Sequence, residues 1–376
     1  MHNPFEPPNR RLSLYIHIPF CERKCNYCAF DSVVPSADDC DVYLELLNKE
    51  LEWWSSRINR PLLSTCYIGG GTPTVLGCAQ WERLIQIIDS HFYFDDTSEV
   101  TVEANPNSLS GAHLHLWRDW RITRVSIGVQ SFDDDELKIL GRLHNAMQAR
   151  EAISYALLSG FSVSADFMFG LPGQTFLNWG RTLREAAHSG LHHISLYQLS
   201  LEEGTPLAAQ SPKLPEGYES YRWAQWYLPH KNYMQYEISN FALAGHESQH
   251  NLNYWREGEY LGMGPSAAGY IAGWRYKNTS GLKKYEQRIG AGGSAIASGE
   301  RLDAYHRSRE AAVLALRTSA GIAREEYCET FGKSAEQSLL NSLNKFSEEL
   351  VTITDKNIML TRKGMRVANR IWSEIV

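Results

Sequence analysis

From Leu12 onward the chain moves between two hydrophobic periods. Leu12 to Ile18 alternates apolar with polar positions, which predicts a first strand ending at Pro19. Asp38 to Arg57 predicts a helix with Val42, Leu46 and Trp53 on its apolar face and Glu45, Lys49 and Glu52 elsewhere. Thr65 to Ile68 predicts a short strand stopped by Gly69, Gly70 and Gly71. Gln80 to His91 follows as a helix with Leu84, Ile87 and Ile88 inward. Strands are predicted again at Glu99 to Ala104, Arg124 to Val129, Phe161 to Phe169 and His193 to Leu199. Helices are predicted at Leu109 to Trp117, Asp134 to Leu140, Ala146 to Ser159, Phe176 to His188 and Tyr218 to Pro229.

A strand–helix alternation repeated about six times demands a parallel sheet with right-handed crossovers. Six units suit a partial barrel better than a closed eightfold one. The predicted fold class is therefore α/β, a partial (β/α)6 barrel. Glu103, Gln130 and Asp166 fall near the C-terminal ends of strands, with the glycine loop after Ile68. In parallel architectures that edge binds ligands.

Beyond Tyr233 the periodicity stops. Tyr236 to Tyr270 is rich in Gly, Asn, His and aromatic residues and reads as irregular, site-forming chain. From Asp303 helices return at Glu310 to Arg317 and Arg324 to Phe331, with a turn at Gly321. A hairpin at Val351 to Leu360 and a last helix at Thr361 to Trp372 complete the order of a mainly helical, winged-helix-like domain. The expected division is a barrel over 1–235, an irregular extension over 236–300 and the C-terminal domain over 301–376.

Composition narrows the function. The 376 residues carry a net charge of -6, and charges nearly balance from Glu300 to Val376. No basic stripe marks a nucleic-acid surface, so the winged shape predicts a structural or docking role. No stretch approaches the ~20 apolar residues of a membrane span. Met1 to Arg11 lacks the apolar run of a secretory signal. A cytoplasmic, reducing location is expected, with any contact to a membrane protein transient.

Of seven cysteines, Cys21, Cys25 and Cys28 crowd into one loop after the first strand, spaced C-x3-C-x2-C. In a reducing compartment this reads as metal binding. A [4Fe–4S] cluster usually takes four cysteines. Here Cys40, Cys66, Cys78 and Cys328 are dispersed, which leaves one iron open to an outside molecule. Two other readings compete. Zinc on the three thiolates with His17 is one, although His17 lies within a strand. Three buried structural cysteines are the other, although Glu22, Lys24 and Asn26 make the loop polar.

The cysteine loop, with Tyr27 before its third cysteine, and Gly69-Gly70-Gly71-Thr72-Pro73 after the second strand resemble the radical S-adenosylmethionine (SAM) superfamily. Further stretches resemble one branch of it, the oxygen-independent coproporphyrinogen III oxidases and their HemW-type heme-chaperone relatives. These stretches are Val102-Glu103-Ala104-Asn105-Pro106, Arg124 to Phe132, Leu140-Gly141-Arg142-Leu143-His144, Asp166 to Thr175 and Glu202 to Leu207. The resemblance runs from Tyr15 to about Tyr270. It implies a cluster on Cys21, Cys25 and Cys28 with SAM on the open iron. It also implies cofactor contacts from Tyr15, Tyr27, Gly70, Gly71, Thr72 and Glu103. Gln130, Arg142 and Asp166 would line the same cavity, where some relatives hold a second SAM. The residue types suit the ligand: carboxylates can bind its ammonium or ribose, and an arginine its carboxylate. A structural ion pair between Arg142 and Asp166 is the competing reading.

Two features separate the branches. The oxidases carry a further cysteine two residues after the third ligand, where this chain has Phe30. His250-Asn251-Leu252-Asn253-Tyr254-Trp255 resembles the H-N-x-x-Y-W stretch of the heme chaperones. The resemblance implies His250 as an axial heme ligand, with Tyr254 and Trp255 against the macrocycle. A buried histidine satisfied by its surroundings is the alternative. Relatives often carry a histidine where Ala268 stands. The implied function is a heme chaperone that binds heme, holds a SAM-ligated cluster and passes heme to an acceptor protein. An oxygen-independent coproporphyrinogen III oxidase, or another radical SAM oxidoreductase of porphyrin metabolism, is the alternative; no catalytic residue is assigned.

Overall fold

The computed structural model describes residues 11–376; the stretch 1–10, with most of the proline-rich N-terminus, lies outside the described residues. Six parallel strands form its centre: β1 (Leu12–Ile18), β2 (Leu63–Gly70), β3 (Glu99–Ala104), β4 (Arg124–Gln130), β5 (Ser162–Phe169) and β6 (His193–Gln198). The helices between them are α1 (Asp39–Ile58), α2 (Cys78–His91), α3 (Gly111–Asp119), α4 (Asp134–Leu140), α5 (Ala146–Leu158) and α6 (Phe176–His188).

The two parities of these strands explain the layers. Leu14, Ile16, Ile68, Val102, Ile127, Val163 and Ile194 are fully buried and share one core with Leu47, Leu51, Leu84 and Ile88 of the helices. Successive side chains point to opposite faces. The other parity carries Tyr15, His17, Tyr67, Glu103, Ser126, Asp166 and Tyr197, in register as Tyr15 beside Tyr67, Glu103 beside Ser126 and Asp166 beside Ser195. Parallel sheets covered on both faces are apolar on both. Here one face is polar and forms a lumen.

On α1 the buried stripe is Tyr43, Leu44, Leu47, Leu51 and Trp54. The expected face is corrected in part: Leu46 is buried, but Val42 is 40% exposed. Val42 lies one residue, about 100° of helix, away from the row that runs 43, 47, 51.

The stretch expected to be irregular is sheet. After α7 (Pro206–Ala209) and α8 (Tyr218–Tyr227), β7 (Met234–Gln235) and β8 (Asn240–Ala242) extend the sheet antiparallel beyond β6. A helix, α9 (Gln249–Trp255), then leads to β9 (Tyr260–Met263), which pairs parallel with β1 on the opposite side. β10 (Ala268–Ile271), β11 (Trp274–Asn278) and, after α10 (Leu282–Gly292), β12 (Ile296–Arg301) continue outward, giving twelve strands. β7 to β10, of two to four residues each, are too short to show a period. Their glycines serve close approach: a Cβ on Gly262 would sit 1.8 Å from the Ala268 carbonyl oxygen.

The C-terminal unit comprises α11 (Ala304–Leu316), β13 (Ile322–Ala323), α12 (Arg324–Phe331), α13 (Lys333–Leu343), β14 (Val351–Ile353), β15 (Asn357–Leu360), α14 (Arg362–Met365) and α15 (Ala368–Trp372). It has its own core around Leu316, Leu343, Ile358 and Ile371. The hairpin forms as expected, α13 is additional, and the last helix is broken near Val367. The unit docks through Arg317, which donates to the fully buried Glu237 at 2.9 Å. Among the described residues no helix is long and apolar enough to cross a membrane.

Candidate functional site

The loop after β1 is fixed at both ends and in the middle. Cys21 N–H donates to the Val33 carbonyl at 3.0 Å, and Val33 N–H to Pro19 at 2.8 Å. Asn26 donates from its backbone to Leu140 and from its side chain to Ile139, each at 3.0 Å. Arg23 donates to the Gly141 carbonyl at 2.7 Å. Gly141 ends α4 in the left-handed region, φ +72°, and a Cβ there would meet Asn26 at 2.8 Å. The Leu140-Gly141-Arg142 stretch therefore anchors the cysteine loop and needs glycine at its centre.

A cavity of about 340 Å³ opens at the C-terminal edge of the sheet. Cys21, Cys25, Tyr27 and Cys28 line it together with Gly70, Gly71, Thr72, Glu103, Gln130, Arg142 and Asp166. Eleven of the thirteen residues expected at the site line it; Tyr15 and His250 do not. Gly71 is cramped, since a Cβ there would lie 2.4 Å from the Phe20 carbonyl oxygen. Gln130 takes φ +68°, a strained backbone for this residue type.

Two donors reach the sulfurs. Arg142 Nη1 donates to Cys25 Sγ at 3.3 Å, and the Thr72 hydroxyl to Cys21 Sγ at 3.5 Å. Asn105 joins them: its Oδ1 accepts from Arg142 Nη2 at 2.5 Å, and its Nδ2 donates to Thr72 at 2.8 Å. Arg142 Nε is buried and without a partner among the described residues. Glu103 accepts from Tyr67 at 2.7 Å and from Gly70 N–H at 2.9 Å. Burial pushes the Glu103 carboxyl up to about 7 and that of Asp166 up to about 6. Asp166 bonds Ser195 and forms no ion pair with Arg142, so the pairing considered from sequence is absent among the described residues. Asn105 and Tyr67 were not singled out from sequence. Asn105 lay inside a recognised stretch; Tyr67 carried no local signal.

The zinc alternative loses its fourth ligand. His17 Nε2 lies 2.9 Å from the Asp31 carbonyl, which only accepts, so Nε2 carries the proton. Nδ1 then accepts from Tyr15 at 2.9 Å, and both nitrogens are engaged.

Two of the expected residues lie outside the thiol cavity. Tyr15 does not line the thiol cavity. It lines a second cavity of about 450 Å³ with Tyr254, Trp255, Tyr260 and Tyr270. His250 lines neither: it is 1% exposed, with Nδ1 2.7 Å from the Thr65 hydroxyl and Nε2 2.7 Å from that of Tyr254. Burial lowers its pKa to about 3. Its neighbours Tyr254 and Trp255 face the cavity while His250 supports them from behind.

Residues 15–186 match the model of the radical SAM superfamily and residues 302–367 that of the HemN C-terminal domain. The fold is similar to that of HemN, the coproporphyrinogen III oxidase of Escherichia coli described as a radical SAM enzyme, with a TM-score of 0.87 and 25% identity over 99% of this chain and 92% of that one. Fold and thiol loop together define a radical SAM protein. The chain is 34% identical to the heme chaperone HemW of Bacillus subtilis over 96% of its own length and 98% of that protein's. It is 39% identical to HemW of Haemophilus influenzae over 69% and 70%. The chain belongs to the HemW family of radical SAM heme chaperones.

Superfamily membership implies a [4Fe–4S] cluster and SAM. The residues present fit them: three thiols share one loop, two donors already address sulfur, and a buried guanidinium N–H awaits an acceptor. When bound, the cluster and SAM would supply one-electron chemistry. The chain's own part is to anchor the loop, hold Arg142 against Cys25 and keep Glu103 and Asp166 in a partly desolvated lumen.

Proposed function

We propose that this chain binds heme beside a SAM-ligated cluster on Cys21, Cys25 and Cys28 and delivers the heme to an acceptor protein in the cytoplasm. Gly70, Gly71, Thr72, Glu103, Gln130, Arg142 and Asp166 contact SAM, with Tyr27 behind the cluster. The C-terminal unit docks partners or braces the barrel rather than binding DNA.

The observation that carries this over porphyrinogen oxidation is Phe30. It is 68% exposed at the wall of the thiol cavity, at the position where the oxidases carry their additional cysteine. A phenyl ring supplies neither thiol nor proton. The test uses anaerobically reconstituted protein. It should bind hemin, retain about four irons per chain, and convert no coproporphyrinogen III in the presence of SAM and a reductant. Turnover of coproporphyrinogen would overturn the reading.

A further inference from the structure

Heme is a flat apolar disc with two carboxylates along one edge. Its seat needs flat apolar walls and uncommitted cations at one rim. The aromatic cavity lacks the cations. Its Arg275 is held by Glu310, and Glu257, also on its wall, is occupied by Arg307 at 2.7 Å. Each positive charge there is matched, and the two glutamates would face the incoming carboxylates.

A larger cleft, of about 780 Å³, lies between the ends of β5 and β6, the start of α8 and the α14–α15 segment. Phe169, Tyr218, Tyr221, Ile238 and Trp372 give it apolar and aromatic walls, and Arg317, Arg366 and Arg370 also line it. Arg317 is committed to Glu237 and lies 4.4 Å over the Trp255 ring. Arg366 is held in place without being neutralised. Its Nε donates at 2.6 Å to Gln225, which is 1% exposed and itself donates to the Arg362 carbonyl at 3.2 Å. Among the described residues neither Arg366 nor Arg370 has a carboxylate within ion-pair distance. The one unpaired carboxylate of the lining, Glu216, is exposed. Tyr197 forms part of the wall of both this cleft and the thiol cavity, so a ligand in the cleft lies beside the cofactor site.

We propose that this cleft seats the heme, with Arg366 and Arg370 on its two carboxylates. The inference rests on the heme reading above and adds where the ligand lies. It is tested with cluster-loaded full-length protein titrated anaerobically with hemin and with hemin dimethyl ester, followed by absorbance. Unaltered protein should prefer the free acid. The double variant Arg366→Gln/Arg370→Gln should bind hemin at least tenfold more weakly and lose that preference, with iron content unchanged. Arg370→Glu, which leaves the Arg366–Gln225 contact untouched, should turn the preference toward the ester. Full retention of the preference in both variants overturns the cleft, as does loss of hemin binding in Trp255→Ala while the arginine variants bind normally. If unaltered protein binds neither hemin nor its ester, the heme reading itself falls and the cleft assignment falls with it.

Discussion

Arg142 donates from Nη1 to Cys25 Sγ across 3.3 Å, joining the end of α4 to the cysteine loop 117 residues earlier in the chain. A cationic donor on a ligand sulfur favours the more negative, reduced cluster and raises its potential. Arg142→Ala should therefore leave iron content near that of the unaltered protein while lowering the cluster midpoint potential. It should also weaken the SAM-induced change in the EPR spectrum. Redox titration monitored by EPR checks both; loss of iron in this variant would make Arg142 a scaffold for the loop instead.

Cys21→Ala, Cys25→Ala and Cys28→Ala should each abolish cluster assembly. Cys66→Ala and Cys78→Ala should not. Cys66 is fully buried on the apolar face of β2, and Cys78 is exposed at the start of α2. Iron and sulfide analysis after anaerobic reconstitution decides it. Equal loss in the Cys66 variant without a fall in thermal midpoint would refute the three-thiolate site.

The barrel was legible because its strands and helices are long and periodic. Asp134–Leu140 and Phe176–His188 fall where periodicity places them. The outer strands β7 to β10 were not, because two to four residues show no period and Gly262 marks backbone contact rather than a loop. The thiol cavity could be read from motifs that each lie within a few residues. Arg142–Asn105–Thr72 could not, since that chain of bonds joins segments more than thirty residues apart. The surroundings of His250 were hidden for the same reason: its partners Thr65 and Glu99 lie on β2 and β3, far back in the sequence.

His250 makes a prediction of its own. Removing its imidazole leaves the Tyr254 hydroxyl without its partner, at a cost of about 1–3 kcal/mol, while the Thr65 hydroxyl keeps Ser13 at 2.8 Å. His250→Ala should lower folding stability while iron content is retained. Denaturant unfolding compared with hemin titration separates the roles. Unchanged stability with lost hemin binding would restore His250 as an iron ligand.

Stability should also depend on pH through Glu50. Its side chain is fully buried between α1 and the outer strands. Oε2 accepts from Gly264 N–H at 2.8 Å and Tyr285 at 2.7 Å, and Oε1 from Asn278 at 2.7 Å. Burial outweighs these bonds and pushes the carboxyl up to about 7. An unfolded chain releases this proton near 4.5, the ordinary value, while the folded chain keeps it to about 7. The folded state therefore loses stability as pH climbs through that window and levels off above it. The gap corresponds to roughly 3 kcal/mol. Glu50→Gln removes the titration but turns an amide N–H2 toward the donor of Asn278, so the variant should be the less stable protein at pH 4.5. Its deficit should shrink or reverse by pH 8. Glu103 and Asp166 titrate in the same direction in both proteins, so the difference between them, measured by urea unfolding at each pH, isolates Glu50. A difference that stays constant from pH 4.5 to 8 would mean that Glu50 titrates alike folded and unfolded.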